Sequence, residues 1–214
     1  MGILHQVYVY VVSHLDQVFL ALQQHVLLVA APLSIGLGLG LPLGLLSARS
    51  RLASLLLINS FNALRVIPSL AVLFVTIPYL GLSFQSAIVA LTLLAMPPIL
   101  MSTDVAFRSI AAETIEAALG MGMSQRQVLW QVEVPLALPA IVAGIKTATV
   151  EVIASATLAA FIGAGGLGSF IVLGFALYDP AILLVGAIPV AILALLAEVS
   201  ISLIQNLVTP QHSA

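Results

Sequence analysis

Residues 26 to 48 form a run of 23 positions without a single Asp, Glu, Lys or Arg. Coiled as an α-helix, such a run rises about 34 Å, enough to cross the roughly 30 Å hydrocarbon core of a bilayer. No other feature restricts the chain so sharply, because a segment of this kind is stable in lipid only if its backbone groups bond to one another. The whole sequence agrees: 62% of it is apolar and 7% charged, against about 25% charged residues in soluble domains. The expected class is an all-α, polytopic membrane protein.

Apolar length and punctuation place five spans, at about 25–48, 52–79, 84–106, 137–160 and 181–207. The Tyr-rich segment 1–24, with His5, His14 and Asp16, reads as an N-terminal interfacial helix. The Gly-rich segment 161–180 reads as a re-entrant stretch, and 208–214 as a C-terminal tail. No Lys or Arg precedes Arg49, so no cleavable signal peptide is expected. Arg49, Arg51, Arg108 and Arg126 fall in two connections on one side. Positive-inside bias makes that side cytoplasmic, with the N-terminus outside and the C-terminus inside. Pro32, Pro42, Pro68, Pro97, Pro98 and Pro189 interrupt the spans, and Gly36, Gly40 and Gly44 share one helix face suited to close packing.

The charge that the spans lack is gathered in one place. Arg108, Glu113, Glu116, Arg126 and Glu133 lie within the loop 108–136. Residues 109–119 are strong helix formers and continue the third span inward. Gly120 and Gly122 permit a turn. Ser124-Gln-Arg-Gln127 has the spacing of a capping box, so a second short helix starts at Ser124 and runs through Trp130 until Pro135 stops it. The product is a helix–turn–helix knob that exposes Met121, Met123, Leu129 or Trp130 beside charge, the composition of a docking surface.

Glu116-Ala117-Ala118, then Gly122, then Val132-Glu133-Val134-Pro135 resembles the EAA loop of the membrane subunits of ABC importers. The spacing matches throughout, with Val132 and Val134 where Ile and Leu are usual. Gly40-Leu-Pro-Leu-Gly44 and Ile67-Pro68-Ser69-Leu70-Ala71 are similar to the first two spans of permeases with the methionine-permease-like fold. Thr147-Ala-Thr149 and Ser155 through Gly168 resemble the subgroup that imports glycine betaine, carnitine or choline. The resemblance implies a permease subunit paired with a second copy or a sister subunit. It also implies two cytoplasmic ATPases, which would bind ATP and Mg, and an external substrate-binding protein. Glu116, Ala117, Ala118, Gly122, Ser124, Trp130 and Pro135 are then the residues that couple the permease to its ATPase.

Other motifs lead nowhere. Gly163-Ala-Gly165-Gly-Leu-Gly168 satisfies a dinucleotide fingerprint, but the strand that should precede it is not expected and Asp179 comes too soon. Gly144-Ile-Lys146-Thr147 lacks the glycine order of a phosphate loop, so this chain has no ATPase site of its own. The four histidines are scattered and cysteine is absent, which leaves no metal site and no thiol chemistry. No nucleophile–base arrangement suggests an enzyme.

Ionisable groups within the spans need a reason. Lys146 can snorkel back to the cytoplasm, and Asp104 and Glu198 fall near span ends, where they are expected to be solvated. Arg65 and Glu151 lie about 21 Å and about 18 Å along their spans by helical rise. A charge there costs about 2.5–3.5 kcal/mol if it faces lipid. With Pro68, they are candidates for the translocation path or its gate; a structural ion pair between helices is the alternative. The Phe and Tyr residues form no cluster in the sequence, and the one Trp is in the loop, so no aromatic cage for a quaternary ammonium is evident. The function expected is a permease moving a small osmoprotectant inward. Alternatives are the same machinery carrying methionine or another amino acid, and a stand-alone channel or ion-driven carrier.

Overall fold

In the computed structural model, residues 2–209 are described, and every regular element among them is helical. Ten α-helices follow in order: α1 (Ile3–Ser13), α2 (Leu15–Arg49), α3 (Arg51–Val66), α4 (Ser69–Leu80), α5 (Phe84–Arg108), α6 (Ala112–Gly120), α7 (Gln125–Val128), α8 (Val134–Leu158), α9 (Gly168–Ala176) and α10 (Pro180–Val208). A π turn (Leu129–Glu133) leads into α8 and a 3₁₀ turn (Ala159–Ile162) leaves it. Four stretches are long and apolar enough to span a membrane, and α3 with α4 makes a fifth if that bent pair is one span. The tail expected at 208–214 lies, from residue 210 on, outside the described residues.

Helix α5 is the central post. It is the most continuously buried helix, with α2 on one side and α8 on another. Its contact with α2 runs along the small-residue face noted in the sequence. A methyl group at Gly40 would stand 2.9 Å from Ile99 Cγ2, and one at Gly44 2.6 Å from Thr103 Cβ. Neither distance is tolerable, so both positions must be glycine for the helices to meet. Leu28, Leu91, Ile99, Val152 and Ile162 are enclosed in the main core. A second cluster joins α2, α9 and α10 through Ala21, Phe170 and Ile182, and Tyr10 of α1 lies against it.

Two expectations about the spans are corrected. The first long helix begins at Leu15, not near 25. Within the segment 1–24 the break falls at His14 (φ −131°, ψ 33°), while Asp16 supports the new N-terminus through the helix dipole. The second span is not straight: α3 and α4 meet at 103°. Pro68 has no N–H and forces Ile67 into an extended conformation (φ −76°, ψ 125°), which ends α3. Pro78, by contrast, sits inside α4, and Gly81 at φ +71° makes the turn to α5.

Segment 161–180 folds into the 3₁₀ turn, a glycine loop and the nine-residue α9, which is too short to cross a bilayer. Gly166 donates its N–H to Gln24 Oε1 at 3.0 Å and pins the loop to α2. A helical turn, not a strand, precedes the fingerprint-like glycines, as its rejection required. Asp179 Oδ1 accepts from the backbone of Ala181 at 2.8 Å and starts α10.

Candidate functional site

Two places combine exposed or polar chemistry with a defined frame. The first is the charged loop. Its helices are separate: α5 ends at Arg108 and α6 starts at Ala112, because Ala111 is extended (ψ 135°) and the Ser109 hydroxyl turns back to the Ala106 carbonyl at 2.8 Å. The uninterrupted helix expected through 109–119 is therefore corrected to a kinked pair. No Gly or Pro marks that break.

The turn after α6 explains the motif glycine. Met123 N–H donates to the Ala118 carbonyl at 3.3 Å and Gly122 N–H to the Leu119 carbonyl at 2.9 Å. This is the double bond pattern of a Schellman cap, whose C′ residue must have positive φ. Gly122 is at φ +87°. The capping box then forms as the spacing demanded: Ser124 N–H donates to Gln127 Oε1 at 2.8 Å, and Gln127 N–H returns to Ser124 Oγ at 3.4 Å. Ala118 and Val128 are buried between the two short helices, whereas Glu116 and Ala117 point outward. Met121 is 79% and Trp130 63% exposed.

Pro135 does not end this helix, contrary to expectation. The π turn lets Val134 N–H reach the Leu129 carbonyl five residues back, which widens the coil where Pro135 enters. Pro135 then enters α8 at its junction with the wider π turn, so the helix passes through it instead of stopping. Gln125 through Ile162 therefore continue as one stretch of helix, and the knob is the end of a membrane helix. Between its parts lies a recess of about 540 Å³ bordered by Arg49, Ile115, Leu119, Arg126, Val128 and Glu133.

The second place is the elbow between α3 and α4. A cavity of about 300 Å³ opens there, lined by Arg65, Pro68 and Ser69, by Pro97 of α5, and by Glu151 and Ser155 of α8. The two opposite charges and the proline singled out in the sequence thus share one wall system. Arg65 and Glu151 do not pair with each other; Arg65 Nη1 has Met101 Sδ at 4.0 Å.

Residues 40–212 match the family of binding-protein-dependent transport system inner membrane components. The chain belongs to this family. It is 41% identical over 188 residues to a carnitine transport permease protein, OpuCB, of Listeria monocytogenes, covering 88% of this chain and 86% of that one. It is 37% identical to a choline transport system permease protein, OpuBB, of Bacillus subtilis (strain 168), over 87% and 86% of the two chains. Its fold is that of a chain of the MetNI methionine ABC transporter in an inward-facing conformation, with a TM-score of 0.78 at 24% identity over 92% of this chain and 98% of that one. The expected fold and membrane character are thereby established: this is a multi-pass permease component with the methionine-permease-like fold.

The permease also holds ion pairs that the sequence reading missed. Arg49 at the end of α2 pairs with Glu133 of the π turn, a residue only 2% exposed. Contrary to the expectation that it is solvated, Asp104 is buried and bound by Arg108 Nε at 3.0 Å, while Arg108 Nη2 donates to the Ser47 carbonyl at 2.6 Å. Lys146 does not act alone: its Nζ lies 3.1 Å from Glu198 and 3.4 Å from the Ser202 hydroxyl, tying α8 to α10.

Proposed function

We propose that this permease is the membrane-spanning subunit of an ATP-driven importer for small trimethylammonium osmolytes such as glycine betaine, carnitine or choline. The observation that carries the coupling part is the knob. Its backbone is fixed by a Schellman cap and a capping box, its face exposes Met121 and Trp130, and it is continuous with α8. A rigid apolar face at the end of a membrane helix suits docking to a cytoplasmic ATPase whose closure then moves α8. On this reading Glu116, Ala117, Ala118, Gly122, Ser124, Trp130 and Pro135 form the coupling loop. The loop faces the cytoplasm, with ATP and Mg held by the partner. The cargo is supported by the named roles of relatives, carnitine and choline transport; the methionine transporter speaks to fold alone.

In the complete machine a second permease copy or sister subunit closes the path, an external binding protein delivers the solute, and Arg65, Pro68 and Glu151 line the way through. The test is purification from native membranes in mild detergent with mass spectrometry of what accompanies the permease. Wild type is expected to bring an ATPase that a Met121→Ser/Trp130→Ser variant loses. A wild-type permease that comes out alone, and passes solute in liposomes without ATP, would make it a channel or carrier instead.

A further inference from the structure

Among the described residues three ion pairs join the charges of the helix ends and of α8 with α10, but Arg65 and Glu151 are in none of them. Both belong to segments that can span the membrane, where an uncompensated charge costs about 2.5–3.5 kcal/mol on insertion scales. They border the same cavity of about 300 Å³, one from the last turn of α3 and the other from α8. The cavity sits where Pro68 breaks the helix, so the terminal backbone groups of α3 and α4 lack intrahelical partners there.

A ligand that satisfies this site must carry both signs. A simple cation would neutralise Glu151 and be repelled by Arg65, and a simple anion would do the reverse. We propose that the cavity is a transit site for a zwitterion, with the carboxylate held by Arg65 and the ammonium end turned to Glu151. The Ser69 and Ser155 hydroxyls complete the polar lining, and among the described residues of this chain no aromatic ring borders the cavity. Without an aromatic cage the quaternary ammonium is held by charge alone, so binding is weak. Weak binding is what a conduit needs, since a solute that enters must also leave. The site therefore favours glycine betaine and carnitine over choline, which has no carboxylate. It deepens the importer reading and rests on it.

The natural absence of cysteine provides the test. Ser69→Cys places a single thiol on the cavity wall while keeping both charges; Ser155→Cys is the second reporter should the first fail to assemble. The complete transporter is reconstituted and the thiol labelled with a small methanethiosulfonate reagent. Saturating glycine betaine is expected to slow labelling at least threefold and equimolar choline much less, and the protection should vanish in the added presence of Arg65→Gln or Glu151→Gln. Equal protection by choline, no protection by glycine betaine, or protection that survives both charge variants would overturn the proposal. ATP-dependent uptake by the wild-type complex keeps the two questions apart. A complex that imports no trimethylammonium solute refutes the cargo reading, whereas one that imports it without charge-dependent protection refutes only the site.

Discussion

Arg49 and Glu133 stand 84 residues apart in the sequence and form an ion pair that binds the end of α2 to the π turn beneath the knob. Glu133 is buried and Arg49 half-exposed, so the partners are not equivalent. Arg49→Ala strands a buried carboxylate and should cost about 1–3 kcal/mol. Glu133→Gln leaves a cation that water can reach, and should cost about 1 kcal/mol or less. Thermal unfolding of the purified permease in detergent checks the order; equal losses would mean that the pair's burial asymmetry has no energetic consequence.

The two loop glycines should respond oppositely to a methyl group. Neither has an atom within 4 Å of a would-be Cβ, so sterics drop out of the comparison. Gly120 lies in α6, where alanine is the better helix former. Gly122 at φ +87° would hold alanine in a left-handed conformation, at about 1–2 kcal/mol. Gly120→Ala should leave solute-stimulated ATP hydrolysis intact and Gly122→Ala should weaken it severalfold.

Helix packing offers a parallel contrast. Gly44→Ala drives a methyl into Thr103 and the Leu100 carbonyl, while Gly38, on the same helix, faces open space. Gly44→Ala is expected to lower the yield of folded permease and its unfolding temperature. Gly38→Ala should do neither, as read by size-exclusion chromatography and a thermal scan.

Trp130 is the sole tryptophan and is largely exposed on the knob. Its emission should therefore report docking without any label. Adding the partner ATPase to the purified permease is expected to shift the emission to shorter wavelength, as the indole leaves water. An unchanged spectrum on a complex proven by chromatography would place the interface elsewhere.

The knob was legible from its sequence because its signals are local: a glycine where φ must be positive, and a serine and a glutamine three residues apart. The spans were legible because apolar length is a direct consequence of bilayer thickness. What escaped was decided by partners distant in sequence or by backbone detail. The early start of α2 was hidden by polar residues rather than charge: Gln23, Gln24 and His25 interrupt the apolar run, although no charge lies between Asp16 and Arg49 and one acid at a helix N-terminus is favourable. The break at Ser109 to Ala111 has no Gly or Pro to announce it, and the π turn lets the helix pass through Pro135 instead of stopping. The Arg49–Glu133 and Lys146–Glu198 pairs needed the packed helices before anyone could match them. The elbow at Pro68 was visible as an interruption; its 103° bend and the cavity it opens were not.

The most direct test is uptake of labelled glycine betaine into liposomes holding the permease, its co-purifying ATPase and the external binding protein, with ATP supplied or withheld on the ATPase side. The account predicts accumulation that requires ATP and the binding protein, and that falls severalfold with Gly122→Ala but not with Gly120→Ala. Uptake independent of ATP, or equal in the two glycine variants, would contradict it.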